Sequence, residues 1–414
     1  MEQTLVALKG DRIQPIMLNF WKNFRAVSLV LTPCLAAVTT GCGFFPPLNQ
    51  CTTNCTTSTD FMYVANTSNS AASPPSIAGF SLTTTTTAAT ATAAATSTLS
   101  LAVTPGSAYS LGYIPSSMSI NPANSFVYVA SLTGGIYLYS IGTNGALTVQ
   151  NNGTAVASGF IASAVAVDTT GTFLIVAGAS LSTTNATVYV YSIASSTGLL
   201  TAVGNLTLKK PGASNRLSIA ANDTNVFLTL GTGGTEAFTF ASTTGVLTDV
   251  GNLPTLAATN ADQDVTTNPS GTLAFITETG SAGVRVLTIG TNGGLTEVSG
   301  SPFAAGTGPT GVLVDSSGSY VYVTNRTSNT ISGYVLAANG TLTQIAGSPF
   351  STGTTPIDIA EDATGKYVGV VCNGGGQDLE VYSFDATTLG ALDAAANATT
   401  GTDPTLPVAI AATH

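Results

Sequence analysis

Between Pro309 and Phe350 polar and apolar residues alternate in four short runs: Gly311 to Val314, Ser319 to Thr324, Thr330 to Leu336 and Thr341 to Ile345. Alternation rich in Val, Tyr, Ile and Thr predicts strands, because successive side chains on a strand point to opposite faces. No stretch in these runs has helical periodicity. The second run returns seven times along the chain. Aligned on its first aromatic or apolar residue, the copies stand at Phe61, Phe126, Phe173, Phe227, Leu273, Tyr320 and Tyr367, the later ones at steps of 46, 47 and 47. Such a period holds about four short strands with their turns. The predicted fold class is all-β, a seven-bladed β-propeller of four-stranded antiparallel blades.

The turns recur with the strands. Asp168-Thr-Thr-Gly171, Asn268-Pro-Ser-Gly271, Asp315-Ser-Ser-Gly318 and Asp362-Ala-Thr-Gly365 each precede a second strand. Asp or Asn starts such a turn by bonding nearby backbone, and Gly takes the positive φ. This turn chemistry accounts for the motif, and a calcium-loop reading is the weaker alternative. Connectors of constant length run from Gly106 to Pro115, Gly300 to Pro309 and Gly347 to Pro356, as Gly-Ser-Ala-Tyr or Gly-Ser-Pro-Phe. Phe303 and Phe350 within them are expected to wedge between blades.

The two ends of the chain complete each other. The last segment, after Pro404, reads as a first strand with nothing following, and the missing partners stand at Phe61 to Asn66 and Ile77 to Leu82. One blade shared between N- and C-terminal strands would close the ring. Blades are expected to begin near Pro404, Pro115, Ile161, Ser214, Asp262, Pro309 and Pro356.

Ahead of the repeats, Lys22 and Arg25 precede an apolar run from Ala26 to Val38 and small residues ending at Gly41-Cys42. About 13 apolar residues are too few to span a bilayer, so residues 1–41 read as a signal peptide, with Met17 an alternative start. Thr39-Thr40-Gly41-Cys42 resembles a bacterial lipobox and favours a lipidated Cys42 over ordinary cleavage and release. Residues 42–59 then form a tether, residues 60–414 the propeller, and the Thr/Ala-rich stretch 81–97 an expanded loop in the first blade. Cys51 and Cys55 can pair in an oxidising envelope, and Cys372 is expected as a small buried residue.

Only 7% of the 414 residues are charged. Removing residues 1–41 takes away four basic and two acidic residues and leaves a net charge of −12. Six scattered Lys and Arg cannot follow a phosphate backbone, which excludes nucleic acid, and membrane contact is expected only through the lipid anchor. Strands of five or six residues also argue against a transmembrane barrel, which needs about ten per strand and aromatic girdles. A monomer is expected.

Tyr322-Val323-Thr324-Asn325, the Gly-Ser-Pro-Phe connectors and the seven copies resemble the YVTN-repeat propellers and the related seven-bladed lactonase family, whose named activity is 6-phosphogluconolactonase. The resemblance covers residues 60–412. It implies His after the Pro that opens a blade, with Arg and Glu on neighbouring loops. Here Thr310 follows Pro309, Ile357 follows Pro356, Thr405 follows Pro404, and His414 is the only histidine. There is no Gly-x-Ser-x-Gly elbow, no His-Glu-x-x-His and no cysteine spacing for a metal, so neither metal nor cofactor is expected.

Blade connectors and the loops between second and third strands gather at one mouth of a propeller's channel. Candidate catalytic residues there are Glu278, Arg285, Arg326 and Asp264, and candidate ligand-binding residues are Asp262 and Arg216. The expected role is a non-catalytic binding or scaffolding module of the cell envelope, taking a protein, glycan or small molecule. The alternative is a lactonase-like hydrolase using Glu278 or Asp264 as base and Arg326 or Arg285 to polarise a carbonyl; convergence of Glu278, Arg285 and Arg326 in one mouth would favour it. For the anchor, Cys42→Ser is expected to move the protein from the membrane to the soluble fraction and to abolish palmitate labelling. Unchanged fractionation would reject lipidation.

Overall fold

The computed structural model describes residues 55–67, 73–87, 96–181, 185–211, 216–252, 260–280, 283–401 and 406–414. The expected leader, Cys42 and Cys51 lie outside them, as does any pairing of Cys51 with Cys55. Seven antiparallel sheets form the blades, and the only helical turn among the described residues is a 3-10 turn at Asn151–Gly153. In blades 2 to 7 the chain runs outward through four consecutive strands. Their innermost strands are Pro115–Ile120, Phe160–Val167, Leu217–Ile219, Ala261–Thr267, Pro309–Val314 and Pro356–Glu361. Blade 1 takes its innermost strand, Leu406–Ala412, from the C-terminus and its next three, Cys55–Thr67, Ser76–Thr87 and Thr96–Val103, from the N-terminal side. Met62 pairs with Ala412 and Val64 with Ile410, which closes the ring as expected.

Two sequence expectations need correction. Strand pairing continues from Cys55↔Thr86 and Thr87↔Thr96 inward, so the end of the tether and both flanks of the Thr/Ala-rich stretch are strand. Threonine's β-branched side chain suits a pleated surface, and pairing requires only backbone. The second correction concerns blade 4. The residue whose carbonyl closes the turn before the second strand is Asn225, bonded by the Ala220 N–H, as Tyr320 is by Asp315 and Tyr367 by Asp362. Asn225, not Phe227, is therefore the equivalent position.

Elsewhere the turns follow the Asp/Asn rule. Asp315 Oδ1 accepts the N–H groups of Ser319 and Tyr320 at 2.8 and 2.6 Å, and Asp362 Oδ1 those of Lys366 and Tyr367 at 2.9 and 2.7 Å. Asn268 and Asp168 act alike. These carboxylates serve backbone donors in the geometry of a turn.

The core is distributed over the seams between blades. Each of seven buried apolar clusters draws on two consecutive blades. Phe303 packs into the cluster between blades 5 and 6, and Phe350 into that between 6 and 7, the wedge role expected of them. A glycine in the hairpin joining third and outermost strands presses on the head of the preceding blade's second strand. A Cβ on Gly145 would meet Phe61 at 2.3 Å, one on Gly198 would meet Phe126 at 2.9 Å, and one on Gly390 would meet Tyr320 at 2.4 Å. In the same three seams a buried tyrosine of that second strand donates to the glycine carbonyl: Tyr63 to Gly145, Tyr128 to Gly198 and Tyr322 to Gly390, at 2.7 to 2.8 Å.

Tyr322→Phe leaves the Gly390 carbonyl in the seam without its donor and is expected to cost about 1 kcal/mol by urea denaturation. Gly390→Ala is expected to cost clearly more than Gly375→Ala. Both glycines hold φ near +80°, but nothing lies within 4 Å of the Gly375 Cβ direction. Equal losses would show that backbone conformation, not the seam contact, selects glycine at 390.

Candidate functional site

One position recurs at the same register in each innermost strand. Register with the second strands makes Ala409, Ser117, Ala164, Arg216, Asp264, Gly311 and Asp358 equivalent around blades 1 to 7. Hydrogen bonds support the alignment in three of them: Thr229, Thr277 and Thr324 each accept, through Oγ1, the N–H of Arg216, Asp264 and Gly311, at 3.0, 3.0 and 2.8 Å. Four of the seven side chains are small or absent. The other three are the ionisable groups.

Arg216 reaches across the ring from blade 4. Its Nη2 lies 3.1 Å from Asp358 Oδ2 in blade 7 and 3.4 Å from the Val408 carbonyl in blade 1. Both carboxylates also stitch neighbouring blades. Asp264 accepts the N–H of Val312 at 3.0 Å, and Asp358 that of Ile410 at 3.0 Å. Burial pushes Asp264 up to about 6; Arg216 opposes this and Asp358 adds to it. Arg216 is held above its ordinary value by Asp358 and then Asp264, against the desolvation that would lower it. The Arg216 side chain keeps 21% of its surface exposed, so the lumen reaches it. It lines a mouth cavity of about 330 Å³ together with Ser116, Ser163, Gln263, Thr310 and Ile357. Asp264 and Asp358 each follow one of these residues in their strands, although neither lines the cavity itself.

The other charged candidates converge elsewhere. Arg285 lies in the seam between blades 4 and 5, its Nε 3.1 Å from Glu297 and 3.7 Å from Glu278, its Nη1 3.8 Å from Asp262. Thr235 of blade 4 donates to Asp262 at 2.6 Å, and Asn260 hydrogen-bonds Glu278. Burial pushes Asp262 up to about 6, while Thr235 and Arg285 hold it down and Glu278 and Glu297 raise it further. Strand alternation explains the location: Glu278 shares a face with Ile276, and Arg285 stands directly opposite Ile276. Neither Glu278, Arg285 nor Asp262 is among the described residues lining the mouth.

Arg326 is exposed on a hairpin of blade 6, its own N–H bonded to the Gly308 carbonyl. Glu278 and Arg285 thus meet, but without Arg326 and inside a seam. Arg216 does line the mouth cavity, and Asp264 follows the lining residue Gln263 without lining it itself. Asp358 was missed by the sequence reading; writing the first strands in register would have revealed it beneath Asp264. The backbone of His414 exchanges hydrogen bonds with the Asn124 side chain at 2.7 and 2.9 Å. It lies at the opposite mouth, in a cavity of about 520 Å³ with Glu361 and Ser316. Cys372 is fully buried, as expected.

A family model described as lactonase, seven-bladed β-propeller matches residues 80–408. The chain belongs to this lactonase family. Among solved structures, a candidate 6-phosphogluconolactonase from Bacteroides uniformis is similar at a TM-score of 0.63 and 18% identity, over 86% of this chain and 99% of that one. The periplasmic gluconolactonase of Pseudomonas aeruginosa is similar at 0.61 and 16%, over 86% and 99%. A Lactobacillus plantarum protein is similar at 0.60 and 20%, over 86% and 100%. A search of curated proteins returns no match. At the positions where the lactonase resemblance implies histidine, Thr310 and Ile357 line the mouth of the channel.

Asp262 and Asp264 each hold a proton up to about pH 6 when folded, against an ordinary value of 3.8. Between these values the folded protein binds more protons than the unfolded chain, so stability falls as pH rises through about 4 to 6. Denaturant midpoints measured across this range are expected to fall with pH, and less steeply in Asp264→Asn. An identical slope in that variant would remove Asp264 from the account.

Proposed function

We propose that the protein is a lactone hydrolase working in the channel mouth, with an uncharged lactone as substrate. The observation that carries this reading is the Arg216, Asp264 and Asp358 constellation, drawn from equivalent positions of three blades in a lactonase-family propeller. Ester hydrolysis needs a base to activate water and a donor at the carbonyl oxygen. Asp264, raised to about 6, is ionised at neutral pH yet basic enough to take a proton from water. Asp358 holds the Arg216 guanidinium by its ion pair, and Arg216 polarises the carbonyl. The water oxygen adds to the carbonyl carbon while one of its protons passes to Asp264. The tetrahedral oxyanion is met by Arg216. Its collapse breaks the bond to the ring oxygen, which leaves as a hydroxyl after taking the proton back from Asp264.

Charge selects the substrate class. One guanidinium between two carboxylates leaves no surplus of positive charge for a phosphoryl group, which needs a cationic cradle. The expected non-catalytic module gains no support from the family. It remains the outcome to which a failed assay would point. Export to the cell envelope with an anchor at Cys42 belongs to the same reading, supported by the apolar segment ahead of Gly41-Cys42.

The full chain is expected to open glucono-δ-lactone above the spontaneous rate, faster than the 6-phosphate, with the rate rising as pH passes through about 6. Asp264→Asn and Arg216→Met are each expected to lower kcat on the order of 100-fold. Glu278→Gln is expected to leave kcat within about twofold, because it lies outside the mouth. No turnover above background for either lactone would sink the proposal.

A further inference from the structure

A second cleft, of about 450 Å³, lies over the seam between blades 1 and 2, on walls that share no residue with the channel mouth. Tyr109 and Tyr113 come from the connector entering blade 2, Tyr137 and Tyr139 from its third strand, Leu147 and Val149 from its outermost strand. Tyr113 lies flat on Tyr137, with ring centroids 3.6 Å apart and 8° between planes. The Tyr113 and Tyr139 hydroxyls are 3.0 Å apart, and Tyr109 accepts the Leu147 N–H at 3.0 Å. Tyr137 is half-buried, and its hydroxyl makes no hydrogen bond to the described residues. No charged side chain is among the lining residues.

Comparison with the other blades separates this cleft from ordinary seam packing. Strand register places Ser332 of blade 6 and Glu380 of blade 7 at the position of Tyr137. There each accepts a connector N–H, from Gly306 at 3.2 Å and Gly353 at 2.9 Å, and so ties the connector to its blade. Tyr139 corresponds to Tyr334 and Tyr382, whose hydroxyls donate to the connector carbonyls of Ala304 and Ser351. In blade 3 the residue at the position of Tyr137 is Tyr189, which is covered by the buried Phe160, with centroids 4.3 Å apart. In blade 2 these rings stand beside a cavity instead.

We propose that this cleft binds an uncharged saccharide. A pyranose presents a face of C–H groups that packs on an aromatic plane, and a rim of hydroxyls that phenolic oxygens can bond. The absence of charge in the lining disfavours phosphorylated, acidic and amino sugars, which would lose hydration without a partner. The volume falls in the range of small-molecule sites. This site does not depend on the lactonase reading.

The test is saturation-transfer NMR and calorimetry on the full chain with maltohexaose, cellohexaose and N-acetylated chitohexaose. At least one is expected to bind. Tyr137→Ser, which installs the residue blade 6 already uses, is expected to weaken that binding at least about tenfold, and Tyr137→Phe to retain it. Val149→Lys, at a rim position 47% exposed, provides a second variant that spares the stack and is also expected to weaken binding. Arg216→Met is expected to leave it unchanged. Failure of all three sugars at about 10 mM would overturn the proposal. Binding indifferent to both Tyr137→Ser and Val149→Lys, or binding lost in Arg216→Met, would do the same.

Discussion

Every blade in this protein depends on its neighbours for a core. A single four-stranded sheet has two faces to cover, and the apolar clusters show how they are covered: side chains from consecutive blades interdigitate, seam by seam. The tight point of the seam is the hairpin glycine, whose missing Cβ lets the turn rest on the head of the preceding second strand. A larger residue there would lever two blades apart. Because the ring closes through hydrogen bonds between Cys55–Thr67 and Leu406–Ala412, seams far apart in sequence are coupled by geometry. Small residues at the turn therefore set the spacing that later positions the channel residues.

The seams are not equivalent. The one between blades 4 and 5 has the fewest buried apolar residues among the described clusters, and it is there that Arg285 gathers Asp262, Glu278 and Glu297. Burying one guanidinium beside two buried carboxylates, with Glu297 at the exposed side, is poorly explained by stability, since the desolvation of buried ions commonly cancels their attraction. Burial raises Asp262 although Thr235 and Arg285 oppose it, so the environment resists a further negative charge. The cluster's position explains why charge alone was a poor guide to the mouth. Several of the few ionisable side chains, Asp262, Glu278 and Arg285 among them, are drawn into the interior.

The fold was legible because its period is long, its strands alternate and its turns use Asp or Asn followed by Gly. Legibility failed where a copy changed its turn. Ala220 replaces the turn carboxylate or amide, Asn225 replaces the aromatic, and an alignment on aromatics slips by two residues onto Phe227. The site was half legible. Arg216 and Asp264 stood out as charges at blade entries, but Asp358 emerges only when strands are set in register, because its meaning lies in standing across the channel from Arg216. Glu278 and Arg285 showed their proximity less than their side: the period-two rule assigns Glu278 to the face of Ile276, and that face belongs to a seam.

Departures from the repeat carry more information about chemistry than the repeat itself, since positions that obey it are explained by packing. At the level of the mouth, Thr310 stands where the family resemblance implies histidine. Its hydroxyl lies 3.0 Å from the Pro356 carbonyl of the next blade and 3.0 Å from the Thr324 hydroxyl. It is committed to holding strands together, and Ile357 beside it has no proton to exchange. At this mouth, the acid or base work of the proposed reaction therefore falls to the register layer that holds Arg216, Asp264 and Asp358. A guanidinium placed in that space satisfies two opposing demands. It neutralises carboxylates that would repel each other across the channel, and it leaves one of them, Asp264, basic enough to accept a proton near neutral pH.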